Sequence, residues 1–507
     1  MAKELYDGIY SSHKLVFIER IEKNLDFYLK DKLQKLKTLG QEVFCEVDKK
    51  DLSDVLREMK ENPELEIVIL NSVNRYISKD RNCVLINLSS VINNFSVLVR
   101  VYMDSPVTDK ERLLKEYGYI VKEISAVYAP AKFFMTRPAL KENYSDIVIK
   151  GGPLDGLDCF DAYIQTDYNL IENIYLDTRL SAIPAHDIFS NIYFTDLLTL
   201  ISRFDFGAGI FPELCLCLGL EEIMQLKVPK RVQYIRMLMS ELFRISSHLA
   251  CIAKLCKILG SDIVFNKTMM ERERVLRVIE LITGSRIHPN FIRIGGVKKN
   301  LNEEKLKNIK ENLPVIFKKI NNLEALLVDN TIVTGRLKNI GVLNSKTALE
   351  YGVTGPNLRS SAVRYDLRKN RNLLLYKDIS FTIPMGKYGD CLERVNLRFF
   401  EIYQSIRIIN QILHELPEEH IKKLINLADL EIPFSEMVSS VECPHGVFKI
   451  YFEIKDNRME SLVVMGPSRN SLNCAERILQ GNRVEDLKLI LATLDISDGE
   501  IIQELML

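Results

Sequence analysis

The chain contains no tryptophan, carries no net charge and lacks any long apolar run. Its 507 residues hold 68 lysines and arginines against 68 aspartates and glutamates, so composition gives no electrostatic case for a nucleic-acid partner. No apolar run reaches the roughly 18 residues that a membrane helix needs, and residues 1–12 lack the pattern of a signal peptide. These absences predict a soluble, cytoplasmic protein that reaches a membrane only through partner subunits.

Cysteine pairs and nucleotide-binding loops are also missing. The ten cysteines show no spacing typical of a disulfide framework, and we expect them to be reduced thiols that pack as small apolar residues. Cys215 and Cys217 lie two positions apart on a predicted helix, so their thiols point about 200° apart and cannot bind one ion. No Gly-x-Gly-x-x-Gly follows a predicted strand, and no Gly-Lys-Ser/Thr loop occurs. We therefore expect the chain to bind no metal, nicotinamide or ATP of its own.

Hydrophobic periodicity predicts two domains, residues 1–140 and residues 141–507. The first alternates helical spacing with β-branched runs, which predicts a small α/β sheet domain. Helices are predicted at 19–39, 51–60 and 111–129, and strands at 41–47, 65–73, 83–88 and 95–102. A charged stretch at 141–145 is the predicted linker.

The second domain is predicted to be mainly helical. A polar-alternating stretch at 147–175 predicts a hairpin, and short strands are expected near the other end of the domain at 447–453 and 462–465. Long helices are predicted at 211–226, 230–259, 264–283, 303–329 and 393–416, followed by another element at 484–494. The predicted fold class is therefore α+β, with a sheet domain followed by a helical bundle that carries peripheral β-hairpins.

Residues 351–371, YGVTGPNLRSSAVRYDLRKNR, crowd glycine turns and arginines into a segment with little periodicity. Turns at Gly352 and Gly355 fix the backbone, so that Arg359, Arg364 and Arg368 can present planar guanidinium groups from a rigid frame. A predicted helix that starts after Gly389 offers carboxylates as counter-charges. A surface loop and a purely structural ion network explain the same residues, so the pattern by itself does not assign a site.

These stretches resemble the 49-kDa-type (D-type) subunit of respiratory complex I, which shares its fold with the large subunit of membrane-bound [NiFe] hydrogenases. The resemblance lies in GVLNSKTALEYGVTGPNLRSSAVRYDLRKN and GDCLERVNLRFFEIYQSIRIINQIL. Upstream, VPKRVQYIRMLMSELFRISSHL and ERERVLRVIELITGSRIHPNFIRIGGV follow the family in the same order. The N-terminal region resembles the 30-kDa-type (C-type) partner, which some bacteria fuse to the 49-kDa-type protein. The resemblance implies a hydrogenase-large-subunit-like bundle.

The chain departs from the hydrogenases in its cysteines. Hydrogenase large subunits hold nickel and iron with two Cys-x-x-Cys pairs, because thiolates suit soft metals. At the first location this chain reads Arg-Phe-Asp-Phe, with Arg203 and Asp205, and at the second it reads TLDISDGE over 493–500. The resemblance therefore implies no nickel site and no hydrogen activation.

The chain also departs from complex I, in which a tyrosine and an aspartate-paired histidine supply protons to quinone. The tyrosine position falls on Phe194, beside Tyr193, the histidine position on Asp155 and the aspartate position on Ile258. Phenylalanine and isoleucine cannot deliver a proton. Because all three positions differ, we favour a cavity that no longer processes quinone by the usual route. The alternative is that Asp155 or Tyr193 delivers the protons.

The resemblance implies a peripheral-arm subunit of a complex-I-like or hydrogenase-related oxidoreductase on the cytoplasmic side of the membrane. The implied partners are a B-like small protein that holds an iron–sulfur cluster, and H-like and antiporter-like membrane proteins, with quinone as a candidate acceptor. A divergent, fused C/D-type protein of NADH-quinone oxidoreductase and a non-catalytic scaffold are the alternatives. Residues expected to line the cavity or order its loops are Arg203, Asp205, His248, Arg293, Arg336, Arg359, Arg364, Asp366, Arg368 and Asp390. As a lone helical histidine, His248 is expected to cap or pack.

Overall fold

The structure is a computed structural model. It describes residues 13–62, 65, 68–78, 81–91, 93–106, 109–128, 146–149, 161–177, 189–419, 421 and 432–501. The described residues form an N-terminal sheet region and a larger helix-rich region that packs against it. Among them, no helix is both long and apolar enough to cross a bilayer.

The N-terminal region is a five-stranded sheet in the order β1-β2-β5-β4-β3, in which β2 and β5 pair in parallel and the other neighbours are antiparallel. Because side chains alternate across a strand, Val43 and Val99 face the helices while Phe44 and Leu98 face the second region. The strands are β1 Leu33–Leu39, β2 Glu42–Val47, β3 Val68–Ser78, β4 Arg81–Ser90 and β5 Phe95–Tyr102, and the helices are α1 His13–Leu29, α2 Leu52–Glu61 and α3 Lys110–Val127.

The structure corrects the predicted helix at 19–39. Helix α1 ends at Leu29, and Leu33–Leu39 forms the edge strand β1. In β1 the backbone pairs with Glu42–Val47 across a tight turn at Gly40. Pairing with the neighbouring strand stabilises the extended backbone more than the helical spacing of the leucines favours a helix. Periodicity within a single segment does not reveal such a partner. The other helices and strands predicted in this region are present, the strand Phe95–Tyr102 with the predicted ends and the others with shifted ends.

A three-stranded antiparallel sheet, β6-β7-β8, opens the second region. Its strands are β6 Ile147–Ile149, β7 Asp161–Asp167 and β8 Leu170–Asp177. The hairpin predicted at 147–175 is therefore confirmed. The predicted linker at 141–145 lies outside the described residues, and the boundary between residues 140 and 141 stays a prediction.

Five long helices form the body of the second region, and each starts and ends within three residues of its prediction. They are α5 Ile210–Ile223, α6 Lys230–Ile258, α7 Asp262–Thr283, α8 Glu303–Val328 and α13 Cys391–Glu415. Helix α6 is buried over most of its length and packs against α7 and α13. The shorter helices are α4 Phe194–Leu200, α9 Thr331–Leu337, α10 Ser345–Glu350, α11 Gly355–Ser360, α12 Leu367–Asn370, α14 Pro467–Leu479 and α15 Leu487–Leu494.

A second antiparallel sheet, β11-β12-β13, links the helical body to the N-terminal sheet. Its strands are β11 Ser435–Cys443, β12 Gly446–Lys455 and β13 Arg458–Met465, and a short pair joins β9 Ile292–Arg293 to β10 Gly296–Val297. Strands β12 and β13 match the predicted strands near the end of the domain. Strand β11 and helix α14 were not predicted from the sequence.

Buried ion pairs join the two sheets. Arg100 of β5 is fully buried and donates to Glu436 Oε1 and Glu453 Oε1, each at 3.0 Å. Glu42 of β2 pairs with Arg371 and lies 3.2 Å from Lys449 Nζ. Buried charges persist where partners and hydrogen bonds satisfy them. The contact between the two regions therefore depends on matched charge as well as on aromatic packing.

We expect this contact to be sensitive to acid through Glu42. Burial alone raises the pKa of Glu42, but Arg371 and Lys449 outweigh it and bring the pKa to about 2, below the ordinary value of 4.5. A depressed carboxyl pKa contributes stability that is complete above the ordinary value and is lost as the pH falls towards the folded value. When the pH is lowered from the ordinary pKa to the folded pKa, the unfolding free energy of the wild type should therefore fall by about 3 kcal/mol more than that of Glu42→Gln. Urea unfolding at each pH measures both values.

The matched control is Glu311→Gln, which removes an exposed carboxylate 3.9 Å from Lys307 Nζ. This control should keep the acid dependence of the wild type, because exposed pairs contribute little. An acid dependence of Glu42→Gln equal to that of the wild type would contradict the expectation.

Candidate functional site

Two neighbouring groups of buried polar side chains lie where α6, α11, α13 and β11 meet. The arginine cluster consists of Glu241, His248, Arg359, Asp366, Arg368, Glu401 and Glu442. The histidine cluster consists of Asp205, Cys443, His445, Asp495 and Glu500. Each member has little or no exposed side chain.

The glycine turn at 352–355 brings these clusters together. Gly355 begins α11 with a φ of +69°, and a Cβ atom there would lie 2.5 Å from the Gly446 Cα and from the His445 carbonyl oxygen. The tip of the β11–β12 hairpin, which carries His445, therefore packs directly on the turn that starts the arginine-bearing helix. Only glycine accepts both this conformation and this approach.

Arg359 occupies the centre of the arginine cluster. Its guanidinium donates from Nε and Nη2 to Glu401 Oε1 of α13, at 3.0 and 2.6 Å. Its Nη1 donates to Glu442 Oε1 of β11 at 2.7 Å and to the Tyr365 carbonyl at 2.9 Å. One side chain thus connects a long helix, a strand and the loop after α11 through charge-assisted hydrogen bonds.

Arg368 extends the cluster to helix α6. Its Nη1 lies 3.2 Å from both oxygens of Glu241, and its Nη2 donates to Asp366 Oδ2 at 2.7 Å. Asp366 also caps α12 by accepting from the Arg368 backbone N–H at 2.9 Å. Glu241 accepts further hydrogen bonds from the hydroxyls of Tyr376 and Ser405, each at 2.6 Å. The cluster therefore fixes the position of these carboxylates within the bundle.

His248 contacts the cluster from α6, with Nε2 at 2.9 Å from Glu401 Oε2. Burial lowers the pKa of His248, although Glu401 acts in the opposite direction. Burial alone raises the pKa of Glu401, but Arg359 and His248 hold it well below its ordinary value. The expectation that His248 caps or packs is therefore incomplete, because its imidazole is part of a buried polar network.

The histidine cluster brings together chain segments that are distant in sequence. Asp205 follows the short helical turn Ile201–Phe204, His445 sits at the β11–β12 tip, and Glu500 belongs to the turn Asp498–Glu500. Gly499 permits this, since a Cβ atom there would lie 2.5 Å from the Phe204 carbonyl oxygen. The segments around 203–206 and 493–500, which correspond to the two hydrogenase cysteine motifs in the resemblance, therefore meet around His445.

Three carboxylates surround the imidazole of His445. Its Nδ1 lies 3.2 Å from Glu500 Oε1 and 3.7 Å from Asp205 Oδ2, and its Nε2 lies 3.7 Å from Asp495 Oδ2. Burial lowers the pKa of His445, but Glu500 and Asp205 more than offset this, so the pKa lies well above its ordinary value. Burial also raises the pKa of Asp205 to about 6, although His445 acts to lower it. The cluster can hold protons within a low-dielectric interior.

The two clusters are continuous through Arg398 and the β11 strand. Arg398 of α13 lies 3.5 Å from Asp495 Oδ2 and one helical turn from Glu401. On β11, Glu442 contacts Arg359 while the next residue, Cys443, lies 3.4 Å from Glu500 Oε1. The arrangement can therefore set the electrostatic field over a connected volume of the protein and keep protons within it.

Several predicted residues have other positions. Asp390 caps α13, where it accepts from the backbone N–H groups of Glu393 and Asn339 at 2.9 and 2.8 Å. Arg293 is partly buried and donates to Asn290 Oδ1 at 2.6 Å. The expected loop-ordering role is corrected for Arg336 and Arg364, because both side chains are exposed. Arg336 comes no closer than 3.8 Å to Asp486 Oδ1.

The residues that the resemblance assigned to the quinone cavity lie partly in the core and partly at the surface. Phe194 is buried in the main apolar core, and Ile258 is the last residue of α6. Tyr193 is 46% exposed, and its hydroxyl lies 3.0 Å from Arg458 Nη2. Asp155 lies outside the described residues. Arg203 is exposed beside the buried Asp205.

Sequence reasoning missed Glu442, Cys443, His445, Asp495 and Glu500 as members of one site. The only signal for His445 was its place in Cys-Pro-His-Gly, a turn between strands. The segment 493–500 contains no cysteine, and its carboxylates were not predicted as site residues. Glu401 was expected as a counter-charge, and the structure places it against Arg359.

We expect Arg359→Ala to be far more damaging than Arg364→Ala. Removing Arg359 leaves Glu401 and Glu442 buried without their shared cation, which costs roughly 3–5 kcal/mol. The exposed Arg364 should contribute about 0–1 kcal/mol, and it serves as the matched control on the same loop. Urea unfolding of the two variants measures the difference. Equal losses in both would show that the loop is ordinary surface.

Comparison with known proteins agrees with the geometry. Residues 259–430 match the family model of the respiratory-chain NADH dehydrogenase 49 kDa subunit. The D-type proteins of NADH-quinone oxidoreductase from Rickettsia typhi and Rickettsia rickettsii are each 32% identical over 324 residues, which covers 59% of this chain and 83% of the relative.

A solved structure matches as well. It is described as the membrane-bound sulfane sulfur reductase, an archaeal respiratory membrane complex. One of its chains superimposes with a TM-score of 0.68 and 28% identity, over 72% of this chain and 100% of that chain. The two Rickettsia relatives are more than 30% identical to this chain, and the alignments cover most of their length. The chain therefore belongs to the D-type family of NADH-quinone oxidoreductase, the 49 kDa subunit family of respiratory-chain NADH dehydrogenase.

Proposed function

We propose that the chain is a peripheral-arm subunit of a membrane-bound, complex-I-like oxidoreductase related to the hydrogenases. In this role it docks a small iron–sulfur protein, and its two buried clusters form the wall of the cavity in which the electron acceptor is reduced. Membrane subunits of the H-like and antiporter-like types attach the assembly to the cytoplasmic face of the membrane. The family relationship and the buried charge network support this proposal.

The observation that carries the proposal is the position of the histidine cluster just below an exposed apolar surface. Phe206 follows the buried Asp205 and is 57% exposed, and its ring lies 5.5 Å from that of His288. Ile287 and Arg203 are exposed next to them. We call Arg203, Phe206, Ile287 and His288 the docking face. A partner that covers this face would bring its cluster close to the buried carboxylates and His445.

The cysteines support a role without a four-thiolate nickel centre. The nine cysteines that the structure describes are all buried and free. Of these nine, Cys443 is the one that belongs to the histidine cluster. Burial raises the pKa of all nine thiols, that of Cys443 included, and brings the pKa of Cys215 and of Cys256 to about 12. The eight thiols outside the histidine cluster pack as apolar side chains.

A divergent quinone reductase is the second candidate, and Tyr193 is the observation that favours it. Tyr193 is 46% exposed, its hydroxyl lies 3.0 Å from Arg458 Nη2, and it is the residue next to the family's tyrosine position at Phe194. A phenol held beside a guanidinium can donate a proton to a bound quinone. A scaffold without redox turnover is the third candidate.

The docking face is tested with Phe206→Glu in the complex purified from its native host. A carboxylate at the centre of an apolar contact must be desolvated when the partner binds, so recovery of the iron–sulfur subunit should fall at least about tenfold, equivalent to 1.4 kcal/mol. Quantitative mass spectrometry of the purified assembly measures this recovery.

The matched control is Phe27→Glu, since Phe27 is 80% exposed on helix α1 and lies outside the docking face. This variant should retain the iron–sulfur subunit. Full recovery in both variants would exclude docking at this face. A complex that assembles normally but oxidises no donor would favour the scaffold.

The acceptor is tested by the rate of ubiquinone-analogue reduction. Under the preferred proposal the intact complex reduces these analogues slowly, because positioned acids typically contribute about 10²–10⁴-fold and neither Phe194 nor Ile258 supplies one. Tyr193→Phe should leave this low rate unchanged. As a matched control, Tyr168→Phe removes the hydroxyl of a side chain that is 99% exposed. Fast reduction that disappears in Tyr193→Phe alone would establish the divergent quinone reductase.

A further inference from the structure

Four potential metal-binding atoms converge in the histidine cluster. Asp205, Cys443, His445 and Glu500 each direct one such atom to the same place, and these atoms all lie within 4.8 Å of one another. All four residues are buried. The sequence predicted no metal, because neither its cysteine spacings nor its isolated histidines form a ligand set. Spacing along the chain does not show a set built from one cysteine, one histidine and two distant carboxylates.

Three of the six separations are close to the edges of a tetrahedron. His445 Nδ1 lies 3.2 Å from Glu500 Oε1 and 3.7 Å from Asp205 Oδ2, and Cys443 Sγ lies 3.4 Å from Glu500 Oε1. Zinc bonds of roughly 2.0–2.1 Å to nitrogen or oxygen and 2.3 Å to sulfur give tetrahedral edges of about 3.3–3.6 Å. The remaining pairs lie within 4.8 Å, so one ion at the centre would bind all four atoms after the side chains move closer together.

Outer contacts already orient the carboxylate ligands. Asp205 Oδ1 accepts from the backbone N–H groups of Gly207 and Ala208 at 2.9 and 3.0 Å. Glu500 Oε2 accepts from the backbone N–H and the hydroxyl of Ser468. Each carboxylate therefore has one oxygen occupied and directs the other towards His445. Contacts of this kind are typical of the residues that support metal ligands.

A further carboxylate, that of Asp495, lies beside the other ring nitrogen of the imidazole. While Nδ1 faces Asp205 and Glu500, Nε2 faces Asp495 Oδ2 at 3.7 Å, and Asp495 is in turn 3.5 Å from Arg398 Nε. A carboxylate behind the second ring nitrogen is the common support of a metal-bound histidine. Asp495 thus has the position of an outer residue, outside the four candidate ligands.

An ion network without metal accounts less well for this geometry. Among the residues that the structure describes, the buried Asp205 Oδ2 has no hydrogen-bond partner, and it lies 3.7 Å from His445 Nδ1. Such an orphaned oxygen carries a desolvation cost that a bound cation would offset. Without metal, the Cys443 thiol contributes one long hydrogen bond of 3.4 Å to Glu500 Oε1, whereas as a thiolate it would be a strong ligand for zinc. The mixed sulfur, nitrogen and oxygen set suits Zn²⁺ and disfavours Mg²⁺ and Ca²⁺.

We propose that Asp205, Cys443, His445 and Glu500 form a closed, four-coordinate site for one Zn²⁺-class ion. The site goes beyond the proposed function, since it requires neither a partner protein nor an electron acceptor. It would join three separate segments of the chain, namely the loop before α5, the β11–β12 tip and the turn at Asp498–Glu500. Its role is structural, as closed zinc sites with four protein ligands usually are.

The test uses Co²⁺ and Zn²⁺ with the full chain, purified without a polyhistidine tag and treated with a chelator. We expect one Co²⁺ per chain, tetrahedral d–d absorption and a thiolate-to-Co²⁺ charge-transfer band that Zn²⁺ removes by displacement. Cys443→Ser should lose the charge-transfer band. Cys474→Ser, which alters another buried free cysteine, should retain it. Asp495→Asn should weaken Co²⁺ binding by about 10–100-fold and keep the band.

A measurement on the unmodified chain covers the case in which Cys443→Ser does not fold. X-ray absorption of the Zn²⁺-loaded chain should report one sulfur and three nitrogen or oxygen neighbours. Absence of stoichiometric Co²⁺ binding, a charge-transfer band that persists in Cys443→Ser, or a zinc shell without sulfur would each overturn the proposal. None of these results depends on whether the iron–sulfur protein docks, so the two proposals fail independently.

Discussion

The pairing of Arg359 with Glu401 and Glu442 is the interaction on which the rest of the site depends. A fully buried guanidinium is tolerated only where carboxylates and carbonyls satisfy its donors, and here those acceptors come from α13, β11 and the loop after α11. Because a buried charge without its partner is costly, these three elements are held in one arrangement. Glycine at 355 completes the arrangement by letting the hairpin tip pack against the start of α11.

This constraint positions the histidine cluster. Glu442 and Cys443 are consecutive on β11, so an arginine that holds the first also fixes the direction of the second and of the turn that carries His445. From α13, Arg398 reaches Asp495 while Glu401 reaches Arg359. The chain therefore maintains a connected volume of fixed charge beneath Phe206.

The N-terminal sheet is integrated into the same body. Its outer face packs on β12 and β13 through Phe44 and Tyr451, whose rings stack at 6.1 Å, and Arg100 adds its ion pairs to that contact. The Rickettsia relatives match 59% of this chain, whereas the alignments cover 83% of those relatives. The sheet region lies outside residues 259–430, which match the 49 kDa family model, and the buried ion pairs attach it to the rest of the protein.

The sequence by itself determined the long helices, most strands and the family, because periodicity, turn residues and motif order are local properties. Arg359, Asp366 and Arg368 were expected among the residues that line the cavity or order its loops, as was Arg364, and the sequence could not separate the three that the structure buries in one cluster from Arg364, which is exposed. Only the tertiary structure decided that strand β1 replaces part of the predicted first helix, since its hydrogen-bond partner lies on another segment. It also decided that Asp205, His445 and Glu500, up to 295 positions apart in the numbering of the chain, meet in one cluster. Contacts between distant segments depend on how the whole chain packs, and no local pattern encodes them.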